Sequence, residues 1–278
     1  MSEPDRKDRI ERILVAVDAS PNSIIALHTA IDLARRTRAE LRALFIQESY
    51  LHHLGSYPFA REIGHYTAQS RRIGSREIRL QMRAQSKRIR SMLETLAKEA
   101  RVHWTYNVMK GKTSDLKDAA EDADLIVLGR SGWSGRKKLG STVQFILTQY
   151  PARTLIIGDR PGSPSPIFVV YDGSDSSKRA LALASNLIRN SEGFLTVGIL
   201  ADTSERAKQL QKEAYQWLSE RNLEPRFRWI LDWSVDKVNA LARTESCLLI
   251  LPRSIEALEE NAVSEVIDEM DCPVLFVQ

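Results

Sequence analysis

The chain has 278 residues, 43% hydrophobic and 27% charged, the ordinary balance of a globular protein with a full core in one large domain or two. Its charged start, "MSEPDRKDRIER", is unlike a signal peptide, and no apolar run approaches the roughly 18 residues of a membrane helix, so no membrane partner is expected and the protein reads as cytoplasmic. The net charge of +4 is unevenly spread: residues 1–160 hold 28 Lys/Arg against 18 Asp/Glu, a net of +10, whereas residues 161–278 hold 12 against 18, a net of −6, so an anionic partner belongs to the first half.

In chain order, the first element is a buried strand over 13–18, "ILVAVD", nearly all aliphatic. Ser20 suits the cap of the helix that follows and Pro21 its first position. "LRALFIQ" is a second strand. A His/Arg-rich insertion over 49–75 comes next, placed to act as a lid over the same sheet edge. Residues 75–100 read as a long helix, with Ile78, Met82, Ile89, Leu93 and Leu96 at helical spacing. "HWTYNVMKG" is the third strand, and "TSDLKDAAEDA" a short helix capped by Thr113 or Ser114. "DLIVLG" is the fourth strand, 141–149 the fourth helix and "ARTLIIG" the fifth strand. Apolar strands alternating with helices predict a parallel sheet covered on both faces.

"RPGSPSP", over 160–166, is a linker, because its prolines can continue neither a sheet ladder nor a helix. Beyond it the pattern repeats: Asp18 aligns with Asp172, Ser20 with Ser174, Ala26 with Ala180, Leu27 with Leu181 and Ala30 with Ala184. The later strands are "GFLTVGIL", "PRFRWIL", "CLLILP" and "PVLFV", with helices over 205–221, 235–243 and 255–270 between them. The expected fold class is α/β, two tandem five-stranded parallel-sheet domains over 1–160 and 166–278. Each copy ends in a short apolar strand, "RTLII" and "VLFV". Uncovered apolar edges invite pairing, so the two strands are expected to meet antiparallel and make the halves an intramolecular pseudo-dimer.

The stretch "LGRSGWSGRKKLGST" (128–142) packs Gly129, Gly132, Gly135 and Gly140 beside Arg130, Arg136, Lys137 and Lys138. Asp18 and Gly129 end the first and fourth strands, on the carboxyl edge where open α/β sheets take ligands. A helix starting near Ser141 presents free backbone N–H groups and the positive end of its dipole. Ser141 and Thr142 add hydroxyl donors, and the glycines let a phosphate approach the backbone. From spacing alone, a phosphate cradle and a solvated turn fit equally.

On these residues the chain resembles the universal stress protein family, as a tandem member over nearly its whole length. The resemblance implies a Rossmann-like, adenine nucleotide alpha hydrolase-like sheet and, in many members, ATP bound through Gly-x2-Gly-x9-Gly-Ser/Thr. Gly129 and Gly132 fit the first pair and Gly140-Ser141 the second, with Leu128, Arg130 and Thr142 beside them. Asp18 matches the aspartate that meets the nucleoside, and Ile46 the strand-two position whose backbone meets adenine. The spacer here, residues 133–139, is seven residues rather than nine, which shortens the arc around the phosphates. The second copy keeps Asp172-Gly173-Ser174 but has Pro252 at the first glycine and Asn261-Ala262 at Gly-Ser, so it reads as a degenerate, structural domain. The resemblance thus implies ATP or AMP, with Mg2+, as the cofactor of a regulatory binding module, together with homodimer formation.

Other features fit blander readings. Residues 61–90 carry nine Arg/Lys and two Glu, which suits either a polyanion patch or a solvated helix face. Few aromatics interleave there, so nucleic acid is not an expected partner. His52, His53 and His65 lack a metal-site pattern, and no metal ligand is assigned. Cys247 and Cys272 have neither metal spacing nor a disulfide framework. Trp133 sits inside the glycine loop, whereas Trp217, Trp229 and Trp233 are expected in the core or at an interface. No nucleophile–base pair stands at a recognisable spacing, so no catalytic residue is assigned. The alternatives to a nucleotide-binding module are a nucleotide-free dimerising scaffold and a slow ATPase.

Overall fold

The computed structural model describes residues 9–48, 61–63, 70–72, 75–111, 116–130, 140–150, 153–158, 165–189, 191, 193–245, 248–253, 255, 260–270 and 272–278. The first half runs β1 (Arg12–Val17), α1 (Pro21–Thr37), β2 (Glu40–Glu48), a short antiparallel pair β3 (Arg61–Ile63) and β4 (Ser70–Arg72), α2 (Ser75–Ala100), β5 (Trp104–Gly111), α3 (Lys117–Glu121), β6 (Leu125–Gly129), α4 (Ser141–Gln149) and β7 (Arg153–Ile157). The second half runs β8 (Ile167–Tyr171), α5 (Asp175–Arg189), β9 (Leu195–Leu200), α6 (Ser204–Ser219), β10 (Arg226–Ile230), α7 (Val235–Glu245), β11 (Leu248–Pro252), α8 (Glu260–Glu269) and β12 (Val274–Val277).

Ten strands form one sheet in the order β10-β9-β8-β11-β12-β7-β6-β1-β2-β5. Pairing is parallel within each half. At the centre β7 and β12 run antiparallel, with Ile156 opposite Val274 and Thr154 opposite Phe276. The terminal strands therefore meet as their apolar edges suggest, and two five-stranded sheets merge into one. Strand residues alternate between the two faces. Ile13, Val15 and Val17 join a core under α1, α2, α5 and α6, while Leu14 and Ala16 join a second core under α3, α4, α7 and α8. Each core runs through both halves of the chain without a break.

The start of α1 follows from local chemistry. Ser20 is the N-cap, with φ −69° and ψ 158°, its hydroxyl accepts from the Ser23 amide at 3.3 Å, and proline opens the helix. The expected caps of α3, Thr113 and Ser114, lie outside the described residues; Leu116, just before the helix, has helical φ −68° and ψ −12° and is 1% exposed. One expectation is corrected. Trp229 is 41% exposed, because β10 is an edge strand whose side chains are largely solvated. Its indole N–H donates to Gln211 Oε1 at 2.6 Å. Trp217 and Trp233 do pack against the cores.

Candidate functional site

In the first half the sheet runs β5-β2-β1-β6-β7, so the chain leaves β1 toward one edge and later returns to its other side. That reversal opens a crevice between the carboxyl ends of β1 and β6, the usual ligand position in open α/β sheets. Asp18 follows β1 directly and Gly129 ends β6. The β1–β2 ladder stops at Val17 opposite Phe45, so Ile46 lies one residue past the last pair, beside Asp18. The structure thus brings Asp18, Ile46 and Gly129 to one edge. The side chains of Ile46 and Leu128 are buried in the core, 6% and 2% exposed, which leaves their backbone as the part able to meet a ligand.

Asp18 shapes the turn. Its Oδ1 accepts the Ser20 amide at 3.0 Å, and its own amide donates to Ser23 Oγ at 3.4 Å. Ala19 between them has φ 63°, a left-handed conformation that alanine adopts only when its surroundings hold it there. The second half repeats the arrangement: Asp172 Oδ1 accepts from the Ser174 amide at 2.9 Å and its hydroxyl at 2.5 Å, with Gly173 at φ 86°. Tyr171, just before this turn, has its phenol pushed above the ordinary value, mainly by burial, with the Glu213 and Asp172 charges adding to it.

The two glycines of the loop serve different ends. A Cβ on Gly129 would lie 2.7 Å from the Asn22 carbonyl carbon and 2.8 Å from the Ser23 nitrogen, so this glycine lets β6 press against the first turn of α1. Gly140 is the N-cap of α4, with φ −64° and ψ 150°, and gives that helix no side-chain cap. Its amide donates to Arg130 O at 3.0 Å, which holds the two residues together. Gly132 and Trp133, like the His52, His53 and His65 of the insertion, lie outside the described residues. Ser141 and Thr142 are the first two residues of α4.

Arg130 points away from the crevice in part. Its amide donates to Ile157 O at 2.8 Å, while its guanidinium donates to Met270 O at 3.1 Å and Ile267 O at 3.4 Å, the carbonyl end of α8 in the other half. Arg253 mirrors it. Its amide donates to Val277 O at 2.8 Å, and its guanidinium reaches Leu147 O and Tyr150 O at the carbonyl end of α4. Burial lowers the pKa of Arg253 from its ordinary value. Neither α4 nor α8 carries a basic residue in its own last turn, so each half supplies the cation that the other's helix dipole lacks. A signal for this exchange was present in the repeat: "LGR" and "LPR" place an arginine at the same step after the fourth strand of each copy.

Among the described residues the second half differs from the first at this edge. Pro252 stands opposite Val277, as Gly129 stands opposite Ile157, and removes a backbone donor. Asn261 and Ala262 lie within α8, after Glu260, where Gly140 and Ser141 form the cap and first residue of α4.

The fold is a doubly wound α/β sheet with Gly129 at its switch point. Residues 9–158 match the universal stress protein family, and the chain belongs to that family. No curated protein matches the chain. Among solved structures it is similar to a universal stress protein from Archaeoglobus fulgidus DSM 4304, at 15% identity and a TM-score of 0.70, over 97% of this chain and 96% of that one. It is also similar to the cytoplasmic domain of a prokaryotic cation chloride cotransporter, at 13% identity and a TM-score of 0.56, over 97% and 95%. At these identities the likeness is one of fold. A universal stress protein from Archaeoglobus fulgidus in complex with dAMP is similar over 41% of this chain and 97% of that one, at 18% identity and a TM-score of 0.34. No described helix is long and apolar enough to cross a membrane.

Proposed function

We propose that residues 1–160 bind an adenine nucleotide, ATP or AMP, and that residues 166–278 are its structural partner in a regulatory module. The observation that carries this reading is the N-terminus of α4 at the β1–β6 crevice. It has a glycine cap, no side-chain cap and no acidic residue in its first turn. Unsatisfied N–H groups and the dipole at such an end favour a phosphate. In the second copy the matching helix starts at Glu260, and an acidic residue at a helix N-terminus disfavours an anion there. On this reading Asp18 meets the ribose. A carboxylate has about four acceptor sites, so its bond to Ser20 is compatible with a sugar hydroxyl on the same group. The backbone of Ile46 meets the base, and Gly129, Gly132 and Gly140 to Thr142 surround the phosphates. Mg2+ would come with a triphosphate as its counter-charge, since the described residues hold no group of three or more His, Cys, Asp and Glu able to bind a metal alone.

Titration calorimetry with ATP should give about one site per chain. Gly140→Val, which puts a branched side chain where the phosphate would approach, should weaken binding by about tenfold or more, whereas Asn261→Val should leave it unchanged. Two equal sites per chain, or equal binding by both variants, would reduce the glycine loop to a turn. Protein purified without added ligand and then denatured for mass spectrometry separates the alternatives: released ATP or AMP supports the binding module or a slow ATPase, which are told apart by whether added ATP is converted to ADP and phosphate, and empty protein supports a scaffold.

A further inference from the structure

The stretch from Arg79 to Arg90, "RLQMRAQSKRIR", places Arg79, Arg83, Lys87 and Arg90 at spacings of four, four and three, one stripe of α2. The stripe spans about 16 Å of helix axis at 1.5 Å per residue. No acidic residue falls between residues 78 and 93 to break the run. Like charges at these spacings repel one another on a helix surface. All four side chains are exposed, and among the described residues none has a hydrogen bond or ion pair.

The four cations line one wall of a cavity of about 510 Å³. The facing wall comes from Gln47, near the carboxyl end of β2, and from Tyr106 and Val108 of β5. Among the described residues the lining holds no carboxylate. Gln47 is only 5% exposed and contributes an amide, with two donors and an acceptor, to this lining. The cavity wall is braced. The Tyr106 hydroxyl lies 2.8 Å from Ser86 Oγ and donates to Ser86 O at 2.9 Å, which ties β5 to α2. Burial raises the Tyr106 phenol above its ordinary value, so the hydroxyl keeps its proton for that bond.

We infer that this groove binds a small, multiply phosphorylated molecule, at a site separate from the β1–β6 crevice. The volume lies within the roughly 300–1,000 Å³ of small-molecule sites. Three guanidinium groups and an ammonium along a line suit several phosphates in sequence, since guanidinium holds phosphate oxygens in pairs. The Gln47 amide fixes one end of the molecule. Single-stranded nucleic acid suits the groove less, because Tyr106 is the one aromatic in the described lining and its hydroxyl is tied to α2, which leaves no row of rings for bases. The site stands apart from the crevice: Gln47 shares the face of Phe45 with α1 and α2, whereas Ile46 faces the opposite core.

The test uses the full chain and inorganic tripolyphosphate, titrated calorimetrically at about 0.15 M salt. Arg83→Gln/Lys87→Gln should weaken binding by about tenfold or more, and Gln47→Leu should weaken it measurably. The equal charge change Arg76→Gln/Arg88→Gln, at exposed positions of the same helix outside the groove, should change it little. Gly140→Val should also leave it intact, which separates this site from the crevice. The inference is overturned if tripolyphosphate does not bind, or if Gly140→Val abolishes binding. It is also overturned if both charge pairs lose affinity equally while Gln47→Leu loses none, the signature of a diffuse field. Binding of oligothymidylate without tripolyphosphate overturns it in favour of a nucleic-acid surface.

Discussion

Gly129 shows how one residue can fit a ligand motif for a reason that is not the ligand. The Asn22 and Ser23 backbone occupies the space where its Cβ would go, and backbone cannot swing aside as a long side chain can. Gly129→Ala should therefore cost about 1–3 kcal/mol of stability, read as a lower urea midpoint with an unchanged slope. Gly158→Ala is the control: its nearest neighbours, on the Arg130 guanidinium, lie at 3.8 Å, so the change should stay within about 0.5 kcal/mol. Equal effects at the two positions would show that β6 and α1 can yield. Gly140 has no such constraint from its φ of −64°, and its substitution tests nucleotide binding rather than folding. The motif was legible in the sequence, but the division of labour between its glycines was not, because the contact between Gly129 and Asn22 is made only once β6 and α1 are packed.

At the scale of elements, legibility follows how local the cause is. The bounds of α2 and α4, Ser75–Ala100 and Ser141–Gln149, are those the periodicity gives, since amphipathic spacing and flanking glycine or proline are local signals. Trp229 departs from the core because it lies on β10, an edge strand whose side chains are largely solvated. The paired arginines belong to the same class. Arg130 and Arg253 recur in register, but what they reach is the end of a helix more than a hundred residues away. Each makes charged hydrogen bonds to helix-terminal carbonyls, worth about 1.5–3 kcal/mol when one partner is ionised. Arg253→Met, which keeps the apolar stem and removes the donors, should lower stability by about that amount in urea unfolding. Arg130→Met should do the same through α8. Unchanged midpoints for both would place the energy of this contact in strand pairing and the cores alone.

At the scale of the whole molecule, the question is whether the halves need the chain between them. β7 and β12 join the two sheets through the antiparallel pairs from Thr154–Phe276 to Ile156–Val274, and residues of both halves share each core. Unpaired, each terminal strand would present an open apolar ladder, the kind of edge that seeks a partner. The net charges of +10 on residues 1–160 and −6 on residues 161–278 favour the same contact, although salt screens charges more than about 8–10 Å apart. The two arginine contacts add directional bonds on either side of the strand pair. A protease site placed within residues 160–164 should therefore yield two fragments that still elute together from a sizing column at micromolar concentration and moderate salt. Arg130→Met/Arg253→Met in the same cleavable chain should weaken that association without removing it, because the apolar strands remain. Clean separation of the unmutated fragments would mean that the linker, rather than the β7–β12 contact, keeps the halves together, and the second half would then need a role other than completing the sheet.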